Sequence, residues 1–93
     1  MTMKMTLHEL EHALVSVPDW TIKNGKLHRQ FSFGNFVDTF GFMTRIALVA
    51  ERMDHHPEWR NVYRMVTIDL ITHDADGITY KDIELAIAID SLV

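Results

Sequence analysis

Hydrophobic and polar positions change period repeatedly along the chain, and each change marks an element. Leu7, Leu10 and Leu14 recur at helical spacing behind Thr6-Leu7-His8-Glu9. That tetrapeptide has the form of a capping box, in which the Thr6 hydroxyl accepts from the Glu9 N–H while the Glu9 carboxylate reaches back to Thr6. Pro18 disfavours helical geometry just before it, so a short first helix that buries one face is expected. The period then falls to two. Residues 20–23 and 27–33 flank Asn24-Gly25, a dipeptide suited to the positive φ angles of a type I′ turn, which predicts a β-hairpin.

Residues 36–54 read as a long helix whose apolar residues form two stripes. Phe36, Phe40, Met43, Ala47 and Ala50 line one; Phe42, Ile46, Val49 and Met53 line another, about 120° round the helix at 100° per residue. A small domain offers one core, and an exposed row of Phe, Ile, Val and Met invites aggregation. The second stripe is therefore expected to pack against another subunit, the alternative being that the first or last helix covers it. Pro57 should end this helix around Asp54 or His55.

Residues 58–63 and 66–72 alternate like two strands of a second hairpin, with Val66, Ile68 and Leu70 on one face, Thr67, Asp69 and Ile71 on the other, and a turn near Arg64-Met65. His73 is expected to end the last strand. Asp74-Ala75-Asp76-Gly77 reads as a loop, and Thr79-Tyr80-Lys81-Asp82 as a second capping box opening a helix through Ile83, Ala86, Ile87 and Leu92. The order α-ββ-α-ββ-α predicts an α+β two-layer fold: a four-stranded antiparallel sheet with helices packed on one face, in a single domain over residues 1–93. No linker, repeat or low-complexity segment interrupts it.

Composition narrows the chemistry. With 47% hydrophobic and 24% charged residues the chain is an ordinary globular sequence, and its net charge of −4 argues against a binder that relies on phosphate contacts. The absence of cysteine excludes disulfides, thiolate catalysis and Cys-type zinc sites. Met1-Thr2-Met3-Lys4-Met5 is not followed by an apolar run of signal-peptide length, and no apolar stretch approaches a membrane span, so a cytoplasmic or organelle-matrix protein with no membrane partner is expected.

The densest polar cluster is Asp54-His55-His56-Pro57-Glu58-Trp59, at the corner between the long helix and the next strand. If the two hairpins lie side by side, His73 and Asp74 come close to it, and two imidazoles in opposite protonation states can run acid and base steps together. Each residue also has a plainer reading. His8, His12 and His28 are read as surface or structural, although His8 and His12 share a helix face at i, i+4. The three clustered histidines with Glu51, Asp54 and Asp74 would suit zinc or iron, but no metalloprotease-like or His-x-His spacing occurs, and no metal ligand is assigned. Asp82 occupies a helix-capping position in its own right. Trp59 is a core residue by default, or a flat wall for a planar ligand.

Taken together, residues 41–63 and the positions beyond them resemble the pterin-4a-carbinolamine dehydratases, a family also described as the dimerisation cofactor of a homeodomain transcription factor. The family pattern is an acid, three residues, His-His-Pro, an aromatic after five more, a His after nine and an Asp after eight. Glu51, His55, His56, Pro57, Tyr63, His73 and Asp82 fill every slot. The similarity continues through Thr72-His73-Asp74, Gly77-Ile78-Thr79 and the last helix, and more weakly back through the first hairpin.

The resemblance implies dehydration of 4a-hydroxytetrahydrobiopterin to quinonoid dihydropterin, recycling the cofactor of aromatic amino acid hydroxylases without any metal or organic cofactor of its own. It implies that His55 and His73 form the acid/base pair, that His56 binds and orients the pterin, and that Glu51 and Asp82 are supporting acids for the imidazoles. Asp54, Pro57, Trp59, Ile71 and Thr72 would line the pocket. A homodimer or homotetramer through residues 36–54 is implied as well. The alternative function is a binding module that serves a transcription factor through the Phe42, Ile46, Val49 and Met53 stripe, and a hydroxylase is a further conceivable partner.

Overall fold

The structure, a computed structural model, describes residues 3–93; Met1 and Thr2 lie outside them. Helix α1 (Leu7–Ala13) starts with the expected capping box, Thr6 N–H donating to Glu9 Oε1 at 2.8 Å and Glu9 N–H to Thr6 Oγ1 at 3.2 Å. A 3₁₀ turn, Leu14–Ser16, carries the chain past Pro18 into strand β1 (Thr21–Lys23). Leu7 is exposed, so only Leu10, Ala13 and Leu14 of this segment reach the core. Strand β1 pairs with β2 (Lys26–Ser32) across Asn24 and Gly25, whose φ angles of 53° and 76° are those a type I′ turn demands.

Helix α2 (Phe36–Met53) is capped by Asn35, whose side chain accepts from the Asp38 N–H at 2.8 Å. It ends where Asp54 adopts a left-handed conformation, φ 51°, and its last carbonyls are satisfied by Asp54 N–H to Glu51 and His55 N–H to Ala50. Asp tolerates this backbone better than most residues, and the resulting bend directs His55 and His56 out of the helix. Strand β3 (Glu58–Val62) then pairs with β4 (Met65–Leu70). Their turn is Tyr63-Arg64, one residue earlier than the pattern suggested. Tyr63 takes φ 51° there, and the Asn61 side-chain amide pins the turn through bonds to the Tyr63 and Met65 carbonyls.

The sheet order is β1-β2-β4-β3, antiparallel throughout. Leu27, Phe31, Val66, Ile68 and Leu70 line the face covered by helices, against Phe42, Ile46 and Ala50 of α2 and Ile83, Leu85, Ala86 and Ile89 of helix α3 (Tyr80–Asp90). The other face carries Lys26, His28, Glu58, Arg60, Thr67 and Asp69 and is open. The α+β architecture and element order agree with the sequence reading. Strand β4 stops at Leu70 rather than Thr72. His73 therefore does not end a strand but opens a 3₁₀ turn, His73–Ala75, pinched by the bridge between Thr72 and Gly77. In α3, Ile87 is exposed, and Leu92 packs on the core from beyond the helix end. Among the described residues no helix is long and apolar enough to cross a membrane.

The second stripe of α2 does not face outward as expected, and the first divides: Ala50 is buried and Met43 packs on the core, while Phe36 and Phe40 are exposed. Phe42 and Ile46 are fully buried, with Val49 and Met53 packed beside them, so the stripe assigned to another subunit faces this chain's own sheet. The exposed apolar residues are Phe36, Val37, Phe40 and Leu48. Periodicity separates two faces but does not say which one meets the sheet; here the Phe42 ring decides it, 4.9 Å from Phe31 and 4.8 Å from Phe33 between centroids. Phe42→Ala should cost about 3–5 kcal/mol in urea unfolding. The loss should be independent of protein concentration; a loss that shrinks with dilution would return Phe42 to a subunit boundary.

Candidate active site

Three histidines converge where α2, β3 and the loop before α3 meet, and each has its own carboxylate. His55 Nε2 lies 2.5 Å from Asp82 Oδ1, His56 Nε2 2.7 Å from Glu51 Oε1, and His73 Nε2 3.1 Å from Glu58 Oε2. Asp54, His55, His56, Ile71, Thr72, His73, Asp74 and Lys81 line a cleft of about 290 Å³. A larger hollow of about 550 Å³ lies between α1 and the start of α3, but it is mostly apolar, and among the described residues the histidines on its wall, His8 and His12, form no ion pair.

Asp82 is completely buried and uses its oxygens for different tasks. Oδ1 accepts from His55; Oδ2 accepts from the Thr79 N–H and from the Thr72 hydroxyl, each at 2.9 Å. The capping box that starts α3 and the contact that holds His55 therefore share one side chain. Hydroxyl directions follow by elimination. Thr72 spends its proton on Asp82, so across the 2.7 Å contact between the two hydroxyls Thr79 donates to Thr72, and Thr79 in turn accepts from the Lys81 N–H.

With Nε2–H given to Asp82, His55 presents Nδ1 as the ring nitrogen available for chemistry. That atom has no protein partner among the described residues and is not sealed from solvent. The ring itself is 11% exposed, against 57% for His56 and 76% for His73. One imidazole is thus fixed in the wall of the cleft, and two stand at its rim.

Glu58 was named in the polar cluster of the sequence but given no role there. Besides His73 it binds Lys26 Nζ at 2.5 Å, and this contact, more than the nearby His73, holds the Glu58 carboxyl below the ordinary carboxylate range and pushes the Lys26 ammonium up. Lys26 and Glu58 stand two strands apart, so only the register of β2 on β4 and of β4 on β3 brings them together. Thr79 and Lys81 were read only as part of a capping box, with no place at the site. The other expected lining residues divide. Asp54, Ile71 and Thr72 are at the cleft, whereas Trp59 packs against the core and Pro57 stays at the corner without lining the cleft. Tyr63 sits in the turn at the other end of β3. Among the described residues no three His, Asp or Glu side chains are grouped to hold a metal ion.

Comparison with known proteins bears directly on this arrangement. Residues 3–92 match the family described as Pterin 4 alpha carbinolamine dehydratase. The chain belongs to that family. Relatives provisionally named pterin-4-alpha-carbinolamine dehydratase include one from Solibacter usitatus, 55% identical over 99% of this chain and 97% of its own, and one from Prochlorococcus marinus strain MIT 9303, 51% identical over 95% and 92%. A crystal structure of a transcriptional coactivator/pterin dehydratase from Brucella melitensis superposes with a TM-score of 0.91 at 38% identity, covering 96% of this chain and 97% of that one. In this pterin-4a-carbinolamine dehydratase family member the motif residues Glu51, His55, His56, His73 and Asp82 gather at one corner of the fold.

The Lys26–Glu58 contact has a pH signature. Because Glu58 has a lower pKa folded than unfolded, its contribution to stability is present above the usual Glu value of about 4.3 and is lost as pH falls through the folded value. Lys26, raised on folding, contributes below its ordinary value and loses the contribution at higher pH still. The difference in urea midpoint between wild type and Lys26→Met should therefore be flat from about pH 6 to 9 and shrink below about pH 4. A difference that grows on acidification would contradict this pairing.

Proposed function

We propose that the chain dehydrates a 4a-hydroxytetrahydropterin to the quinonoid dihydropterin, with His55 and His73 as the acid/base pair and His56 as a pterin-binding group. The observation that carries the proposal is the cleft in which His55, its Nε2 bound to the buried Asp82, shares one wall system with His56 and His73.

The reaction breaks the C4a–O bond, the departing oxygen takes a proton and leaves as water, and the N5–H proton goes to a base as the C4a=N5 double bond forms. One proton is delivered and one removed, so the net demand is two groups that exchange roles. His55 suits the base. Asp82 keeps the ring in the tautomer with Nδ1 as an acceptor and presents its carboxylate to the positive charge that arrives with the proton. His73, at the solvent edge on a 3₁₀ turn, suits the acid, since it can regain a proton from water between turnovers. His56, its Nε2 paired with Glu51, stands beside His55 with Nδ1 free to face the pterin ring. The tetrahydrobiopterin side chain and a role in recycling for aromatic amino acid hydroxylases extend the same reading.

The test is the decay of 4a-hydroxytetrahydropterin, generated in place by a hydroxylase and followed by absorbance. Wild-type protein should accelerate the decay; His55→Ala and His73→Ala should each lower kcat by about 10²- to 10⁴-fold, and the double variant should approach the uncatalysed rate, with circular dichroism confirming the fold of each. Folded wild-type protein that leaves the decay unchanged would overturn the assignment.

A second reading, docking to a protein partner such as a transcription factor, has two observations in its favour. The solvent side of α2 presents Phe36, Val37, Phe40 and Leu48, and the Brucella melitensis protein carries the description of coactivator. On this reading the contact uses that side of the helix and not the Phe42 stripe. Native mass measurement, with the chain alone and mixed with a candidate dimerisation helix, should then show self-assembly or a mixed complex that Phe40→Asp abolishes. A monomer under all conditions would remove the reading.

A further inference from the structure

The open face of the sheet reaches the cleft through one residue. Glu58 begins β3 and divides its carboxylate between two partners: Oε1 meets Lys26 Nζ on β2 at 2.5 Å, and Oε2 meets His73 Nε2 at 3.1 Å. Neither Glu58 nor Lys26 belongs to the motif that marks the family resemblance. We propose that Glu58 is a positioning residue for the dehydration: clasped by Lys26, it holds the exposed His73 ring through the close charged contact at Nε2, leaving Nδ1 for the reacting pterin. The inference rests on the dehydratase reading above.

His73 needs such a partner. His55 is walled in and tied to a buried carboxylate, whereas the His73 side chain is 76% exposed on a single 3₁₀ turn, and its one side-chain contact with a charged or polar group among the described residues is Glu58. An imidazole free to rotate presents the wrong nitrogen, or none, for much of the time, and a proton donor out of line slows the transfer steeply. Glu58 itself does not wander. Its backbone is registered opposite Asp69 in the sheet, and Lys26 stands on the neighbouring pair of strands, so the sheet fixes the carboxylate from two directions. The Lys26 contact also keeps Glu58 ionised under the conditions in which His73 would work. An ordinary surface ion pair would share the distances but not the consequence for turnover.

The experiment measures kcat and KM separately for full-length wild type, Glu58→Ala, Glu58→Gln, Lys26→Met and, as a control on the same strand and face, Arg60→Ala. Glu58→Ala should lower kcat about tenfold with KM within about twofold of wild type. Glu58→Gln, which keeps an oxygen within reach of Nε2 but not the charge, should recover part of the loss. Lys26→Met should fall between wild type and Glu58→Ala, and Arg60→Ala should match wild type. Independently of substrate, the ¹⁵N resonance of His73 Nε2 should move in Glu58→Ala, because the carboxylate 3.1 Å from it is gone. An active wild type with an equally active Glu58→Ala, or a His73 resonance that stays in place, would overturn the proposal. A folded wild type that does not accelerate the decay would instead remove the dehydratase reading, and this role with it.

Discussion

A carboxylate with no exposed surface must find every donor inside the protein, and the placement of Asp82 among three of them organises this molecule. Its donors come from the end of α2, from the residue that leads out of the sheet and from the backbone at the start of α3. An unpaired charge in that position would cost several kcal/mol. The three segments are therefore not free to move independently: a shift of α2 along its axis strands the carboxylate, as does an unwound first turn of α3. The same demand that fixes the helices also sets the tautomer of His55, so the packing of the fold and the readiness of the cleft are one network. This is also why a capping residue and a supporting acid need not be alternatives. One oxygen of Asp82 serves each role.

The histidines differ in how they are held, and the difference follows from where the chain leaves its regular elements. His55 follows the left-handed Asp54 and turns inward under α3; His56, the next residue, points the other way and stays at the surface with Glu51. His73 rides on a turn pinched between Thr72 and Gly77. The result is one imidazole fixed by a buried carboxylate and two at the rim held by exposed ones, an unequal set that suits a reaction in which one group must be exact in orientation and another must exchange protons with water.

Helix α2 carries a second constraint. Its Phe42 and Ile46 close the core against the sheet, and because α2 is 18 residues long it also presents apolar side chains to the outside. The core takes the Phe42 stripe together with Met43 and Ala50, so the solvent side with Phe36, Val37, Phe40 and Leu48 is available for contacts beyond the chain, a division of labour that an amphipathic helix with a single apolar face could not support.

Much of the architecture is written in local chemistry. Both capping boxes, the Asn24-Gly25 hairpin, the end of α2 ahead of Pro57 and the alternation of Val66, Ile68 and Leu70 depend on residues a few positions apart, and each formed as its pattern dictates. The cluster of His55, His56, His73, Glu51 and Asp82 was legible too, through the spacing of a family motif. What local pattern could not supply is orientation and register. Which stripe of α2 meets the sheet depends on how the helix rolls against Phe31 and Phe33. Which acid serves which imidazole depends on where α3 and β3 dock. The meeting of Lys26 and Glu58 arises from two strand registers added together. A sequence determines the period and the punctuation of its elements because those are set by neighbours along the chain; only the tertiary structure decides which faces and which side chains meet, because that is set by packing across it.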